Sequence, residues 1–276
     1  MSKGPGLFSD IGKKARDLLT KDYNYDQRFS VSSTSEAGLG LTSTTVKKGG
    51  LYTGEVGLLY KYRNTNVDLK VDAASNVFTT LTFNEVLPST KAIASFRAPD
   101  FNSGKAEVQY FHEHASFTTA VALSKSPTID ASATIGAQGI AFGVEAGFDA
   151  SSKNLTKYTA GISMAKPDSS SAIILADKGD VLKISYLHYL GEKQRSTLVG
   201  EITRRFSTNE NTFTAGGSHA IDPQTTFKAK LNNHGKLGAL LQHELKPKSL
   251  LTLSGEFDTK ALEKYPKFGL SLAIKP

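Results

Sequence analysis

The 276-residue chain has no cysteine and no tryptophan. Disulfide frameworks, thiolate metal sites and cysteine nucleophiles are therefore excluded. Long apolar runs are missing too. No stretch approaches the ~18 residues of a membrane-crossing helix, and no apolar core followed by a small-residue cleavage site marks a secretory signal. Acidic residues are in deficit: 33 Lys and Arg face 26 Asp and Glu, leaving a net charge of +7 and a pI near 9.3. That surplus suits nucleic acid, lipid headgroups or small anions, and does not choose among them. The mean hydropathy of −0.26 reads like that of a soluble protein. A membrane β-barrel alternates lipid-facing and water-facing residues and averages out equally mild, so the membrane stays open as a setting.

One segment has a helical period. Across residues 7–21, Leu7, Phe8, Ile11, Ala15, Leu18 and Leu19 share one face, while Asp10, Lys13, Lys14, Arg16, Asp17 and Lys21 share the other. The spacing predicts an amphipathic helix of about four turns, with Ser9 and Asp10 as capping residues. Too short to form a core alone, it needs a surface built by the rest of the chain.

Beyond Asp22 the chain reads as strand after strand. Segments of about eight to eleven residues with period-two patterning alternate with clusters of Gly, Asn, Asp, Ser and Pro. Val67, Leu69 and Val71 oppose Asp68, Lys70 and Asp72; Ala106, Val108 and Tyr110 oppose Lys105, Glu107 and Gln109; Phe268, Leu270, Leu272 and Ile274 oppose Gly269, Ser271, Ala273 and Lys275. The turn signals divide the chain into about 19 strands with no domain linker. Residues 1–26 form the helix and linker, and residues 27–276 a single sheet. A sandwich or soluble barrel would fill its core with large aliphatics. Here the apolar faces are rich in Ala, Val, Tyr and Gly, and the polar faces carry Lys, Arg and Thr. A closed barrel with lipid outside and water inside fits better, because it leaves no sheet edge, and so many strands enclose an open lumen. The rival is a soluble basic β-barrel or β-sandwich that binds nucleic acid or an apolar ligand.

In the barrel reading the lumen carries Lys61, Lys70, Lys91, Arg97, Lys105, Lys157, Lys183, Arg195, Arg205, Lys228 and Lys230. Fewer acids share that face: Glu55, Asp68, Asp72, Glu107, Glu201, Glu244 and Glu256. Fixed positive charge along a wet pore lowers the energy of anions more than of cations, so a weak anion preference is expected. Lys13, Lys14, Arg16 and Lys21 on a helix inside the lumen would meet passing phosphates. Tyr52, Tyr60, Tyr62, Tyr110, Tyr158 and Tyr186 suggest interfacial girdles.

The smaller motifs carry no chemistry. His112-Glu113-His114 lacks a third metal ligand. Asp177-Lys178-Gly179-Asp180 fits a tight turn better than a calcium loop. Gly216-Gly217 and Gly38-x-Gly40 lack the strand-to-helix setting of a phosphate loop. No catalytic triad, metal site or cofactor is expected.

GPGLFSDIGKKARDLLTKDY at the N-terminus, KAEVQYFHEHA, and HAIDPQTTFKAKLNNHGKLGALLQHELKPKSLLTLSGEFD near the C-terminus resemble the mitochondrial porins, the voltage-dependent anion channels, in particular their plant members. His219-x-x-Asp222-Pro223-x-Thr225 followed by Ala229-Lys230-Leu231-Asn232-Asn233 matches the eukaryotic porin signature. Lys267, Gly269, Leu272 and Ile274 resemble the sorting signal of mitochondrial outer-membrane barrels. The resemblance implies an all-β membrane protein: one 19-stranded transmembrane β-barrel, its first and last strands parallel, with the helix inside the pore. It implies a non-enzymatic, voltage-gated channel of the mitochondrial outer membrane that passes ATP, ADP, phosphate and organic acids, with membrane lipids as surroundings and nucleic acid not a main partner. Homo-oligomers and cytosolic docking proteins are compatible with it. One departure stands out: Asp22-Tyr23-Asn24-Tyr25-Asp26 lacks the glycine-rich hinge of some members.

Overall fold

A computed structural model describes residues 4–191, 195–261, 263 and 265–275. The predicted strands are present as β1 (Gln27–Thr34), β2 (Leu39–Lys48), β3 (Leu51–Tyr62), β4 (Thr65–Asp72), β5 (Val77–Asn84) and β6 (Thr90–Ala98). There follow β7 (Lys105–Phe111), β8 (Ala115–Ala122), β9 (Thr128–Ala137), β10 (Ile140–Asp149), β11 (Asn154–Ala165), β12 (Ser169–Ala176) and β13 (Val181–Leu190). The last are β14 (Ser196–Arg205), β15 (Glu210–Asp222), β16 (Thr225–Asn232), β17 (Lys236–Lys246), β18 (Ser249–Asp258) and β19 (Lys267–Ile274). Each pairs antiparallel with the next in sequence, and β1 pairs parallel with β19, Phe29 opposite Leu272, to close one 19-stranded barrel. An odd number of strands in an antiparallel meander makes the first and last run the same way. Closure must then be parallel.

Alternation decides which side chain meets which solvent. Phe142, Ile162, Ile173, Ile184, Ile202 and Phe213 form one outward row across six strands and remain 40–49% exposed. Apolar groups left open in a continuous belt have lipid as their solvent. The six tyrosines named above also point outward: Tyr52 and Tyr158 near one mouth, Tyr60, Tyr62 and Tyr110 near the other. No helix among the described residues is long and apolar enough to cross a membrane. Crossing falls to the strands.

The single N-terminal helix is divided in two. Residues Phe8–Asp10 form a 3-10 turn, and the α-helix proper, α1, covers only Lys13–Thr20. Between them Gly12 takes φ +69°, a left-handed conformation costly for any residue with a Cβ. The predicted caps shift accordingly. Asp10 closes the 3-10 turn by accepting the Leu7 N–H at 3.0 Å and caps nothing in α1. The Ser9 carbonyl accepts from the Arg16 guanidinium at 3.0 Å. The break leaves the amphipathic logic intact, since Ile11, Ala15 and Leu19 are all buried against the inner wall.

Candidate functional site

The lumen is organised by how the N-terminal segment is held. Its contacts run diagonally from one mouth to the other. At the mouth where β1 begins, the linker passes β19: the Ser254 hydroxyl donates to the Asn24 carbonyl, and a Cβ on Gly269 would strike that same carbonyl. Lys228 pairs with Asp22 at 3.4 Å. Lys230 donates to the Leu19 carbonyl at 2.6 Å and lies 4.1 Å from the centre of the Tyr23 ring. A wall lysine thus supplies a cation at the negative end of α1. Asp22, with φ +73°, takes the bend without a glycine. Tyr23 is buried, which pushes its phenol up to about 12 and keeps it neutral.

Further along, Ala15 and Leu19 pack with Leu187 and Val199. Leu19 also reaches the bare backbone of Gly216, and Ile11 that of Gly143 and Gly161. These glycines let a helix lie almost on the sheet. They were not singled out as a docking patch. The bulkier Val144 and Leu155 on β10 and β11 point outward instead and are 44% and 54% exposed. A one-residue offset in reading β10 exchanges Val144 for Gly143. At the far mouth the Ser116 hydroxyl donates to the Gly6 carbonyl at 2.8 Å, and Gly4 lies against the His112–Glu113 backbone.

The strand register places Lys61, Lys70, Lys91, Arg97, Lys105, Lys157, Lys183, Arg205, Lys228 and Lys230 on the inward set. It is the set that contacts the N-terminal segment around the barrel. Arg195 precedes β14 and is exposed at the far mouth. These cations are not equivalent. Lys157 is shared between Glu145 at 2.8 Å and Asp130 at 3.2 Å. Lys105 meets Glu107 at 3.2 Å, Lys183 meets Glu201 at 3.5 Å, and Arg205 bridges Asp177 and Asp180 at 3.0 and 3.1 Å. Lys228 and Lys230 serve the linker. Lys61, Lys91 and Arg97 stand without an ion pair among the described residues. On the segment, Lys13 pairs with Asp10 at 3.0 Å and Lys14 stacks 5.7 Å from the Tyr189 ring centre. Lys21 is exposed and unpaired among the described residues.

Sequence reading missed several inward ionisable residues, among them the acids Asp130 and Glu145 and the bases Arg28, Lys236 and Lys267. Alternation around Glu145 was visible, with Phe142, Val144, Ala146 and Phe148 all facing lipid. Lys267 pairs with Glu256 at 3.0 Å, while Leu272 and Ile274 face outward beside Phe29 and Val31. The inward ionisable residues gather in the half nearest the linker. There a pocket of about 450 Å³ between the 3-10 turn and the wall collects Arg16, Lys105, Glu107, Asp130, Glu145 and Lys157. His112 and His114 sit in the β7–β8 turn with ring centres 6.2 Å apart, and no cluster of three metal-binding side chains occurs among the described residues.

A closed wall, greasy outside and polar inside, partly filled by its own N-terminal segment, defines a membrane channel of the porin class. The chain belongs to the eukaryotic porin family, whose model matches residues 4–269. It is 63% identical to mitochondrial outer membrane protein porin 5 of rice over 99% of both chains, and 63% identical to Arabidopsis porin 2 over all of both. An outer plastidial membrane porin of pea is 49% identical, again over the full length of each. A triple mutant of the Rhodopseudomonas blastica porin superposes with a TM-score of 0.52 at 9% identity, covering 79% of this chain and 88% of that one; it shares the fold alone. The protein is a pore-forming channel of the mitochondrial outer membrane that passes small solutes, and not an enzyme. The soluble binding module is set aside.

Proposed function

We propose that the channel is weakly anion-selective and voltage-gated, passing small hydrophilic anions such as ATP, ADP, phosphate and organic acids by diffusion. The observation that carries this reading is the imbalance on the inner wall. Lys61, Lys91 and Arg97 lack ion-pair partners among the described residues; of the inward acids, Glu107, Glu201 and Glu256 each meet a lysine, Asp130 and Glu145 share Lys157, and Glu55 and Glu244 stand without an ion pair among the described residues. Unmatched fixed charge biases a wide aqueous pore without blocking it. Voltage dependence follows if a charged element moves in the field, at ~2.3 kcal/mol per charge per 100 mV. The segment bearing Lys13, Lys14, Arg16 and Lys21 qualifies, being held by a few side chains and no sheet hydrogen bonds.

The test is a planar-bilayer recording across a potassium chloride gradient. A reversal potential on the chloride side and closure at both polarities are expected; a potential on the potassium side would overturn the selectivity. For Lys267, Gly269, Leu272 and Ile274 we propose recognition by the outer-membrane assembly machinery. Import into isolated mitochondria should fall for Leu272→Asp with Ile274→Asp.

A further inference from the structure

The diagonal course of the N-terminal segment covers the wall from the β7–β8 turn round to β19 and leaves the arc β2–β6 facing open water. On that arc the inward set holds one aromatic side chain, besides the aliphatic Leu51, Leu59 and Ile93. Phe78 lies on the inward set of β5, opposite Arg97 of β6 on one side and Lys70 of β4 on the other, and is 39% exposed. An apolar ring on the wet face gains nothing from lipid and is not covered by the segment. Its surroundings are specific. The Arg97 guanidinium stands 5.2 Å from the ring centre, and Lys70 leans over Gly57, which has no side chain to crowd it. Neighbouring strands are ~4.8 Å apart, so the Lys70 and Arg97 backbones flank that of Phe78 at a spacing of ~10 Å. Both cations stay exposed, with two acids near them: Asp72 interacts with the Arg97 charge and Asp68 with that of Lys70. Asp68 is 3.9 Å from Lys70, a loose approach, and Asp72 is occupied by the turn, accepting from the Ala74 and Asn76 N–H groups at 2.9 Å each.

A flat apolar surface between two cations has the chemistry of a nucleotide. The base stacks on an aromatic or guanidinium face, and phosphate oxygens accept from the cations. We infer that Phe78, with Arg97 and Lys70, forms a nucleotide-binding step just inside the mouth where β1 begins, on the wall opposite the helix. The inference rests on the reading that phosphorylated anions enter the lumen. It adds recognition of the base, which fixed charge alone cannot supply. The step must be weak, since a permeant held tightly would plug the channel.

Open-channel current noise in planar bilayers gives apparent dissociation constants for ATP and for tripolyphosphate, which has the phosphates without the base. In the unmodified protein ATP should bind at least about threefold tighter. Phe78→Leu should abolish that difference while leaving the tripolyphosphate constant and the chloride reversal potential unchanged. Phe78→Tyr should keep it. Arg97→Gln should weaken both ligands. Equal constants for the two ligands in the unmodified channel overturn the inference without any variant, as does an unchanged ratio in a Phe78→Leu channel of normal conductance. Anion preference intact with no base discrimination removes this step and leaves the proposed function standing. Failure of both ligands to enter an otherwise conducting channel defeats both.

Discussion

At the scale of single residues, the lumen separates cations that act on solutes from cations that hold the fold. Lys61 and Lys91 project without ion partners among the described residues, whereas Lys230 is spent on the Leu19 carbonyl and the Tyr23 ring. Lys61→Glu combined with Lys91→Glu should therefore lower the chloride-to-potassium permeability ratio at unchanged stability. Lys230→Met should leave that ratio nearly as it was and free the linker, read as faster proteolysis near residue 22. Asp180 gives a pH prediction. Its carboxylate accepts from the Ser207 hydroxyl at 2.7 Å and the Ser207 N–H at 2.6 Å, and it pairs with Arg205, which together hold it below the usual carboxylate range. A folded-state value below the unfolded one means that the contacts stabilise while Asp180 is ionised and fade as pH falls through the folded value. The Ser207 amide resonance should stay constant through the ordinary aspartate range, shift only at lower pH, and lose the response in Asp180→Asn.

At the scale of elements, α1 is docked by very few groups, and each counts. Leu19→Ala removes the side chain that fills the space over Gly216 and should cost about 2–3 kcal/mol of docking. Measured by spin-label distances from α1 to β14, the docked population should fall, and the voltage needed for closure should change with it. A Leu19→Met channel should behave nearly as the parent. The strands and the amphipathic face were legible in the sequence, because alternation and a helical stripe are local patterns. The position of the helix on the wall was not. It depends on glycines at 143, 161 and 216, which a single chain shows only as small residues in strands, and on Gly12, whose positive φ splits a pattern that reads as continuous. The lumen set was legible strand by strand. The identity of its free members was not, since Lys157 and Lys228 look alike until Glu145, Asp130 and Asp22 are seen beside them.

At the scale of the whole molecule, the seam between β1 and β19 closes the wall, and the linker threads across it at Gly269. Gly269→Leu would place a side chain where the Asn24 carbonyl lies. The expected result is a lower yield of closed barrel on refolding in detergent, seen as loss of the compact, heat-modifiable band on unboiled gels. Ala273→Leu, on the same inward set but away from the linker, should refold with far smaller loss. The odd strand number also sets what can be done with the chain's connectivity. In a barrel with an even number of strands the first begins and the last ends at the same rim, so a short loop can join them and the chain can be reopened elsewhere as a circular permutant. Here β1 begins at one rim and β19 ends at the other. A covalent bridge between them must run the full height of the pore, ~30 Å for strands of this length, through the space solutes use or across the lipid face. Circular permutation, routine in even barrels, would add an obstruction or a twentieth strand to this one.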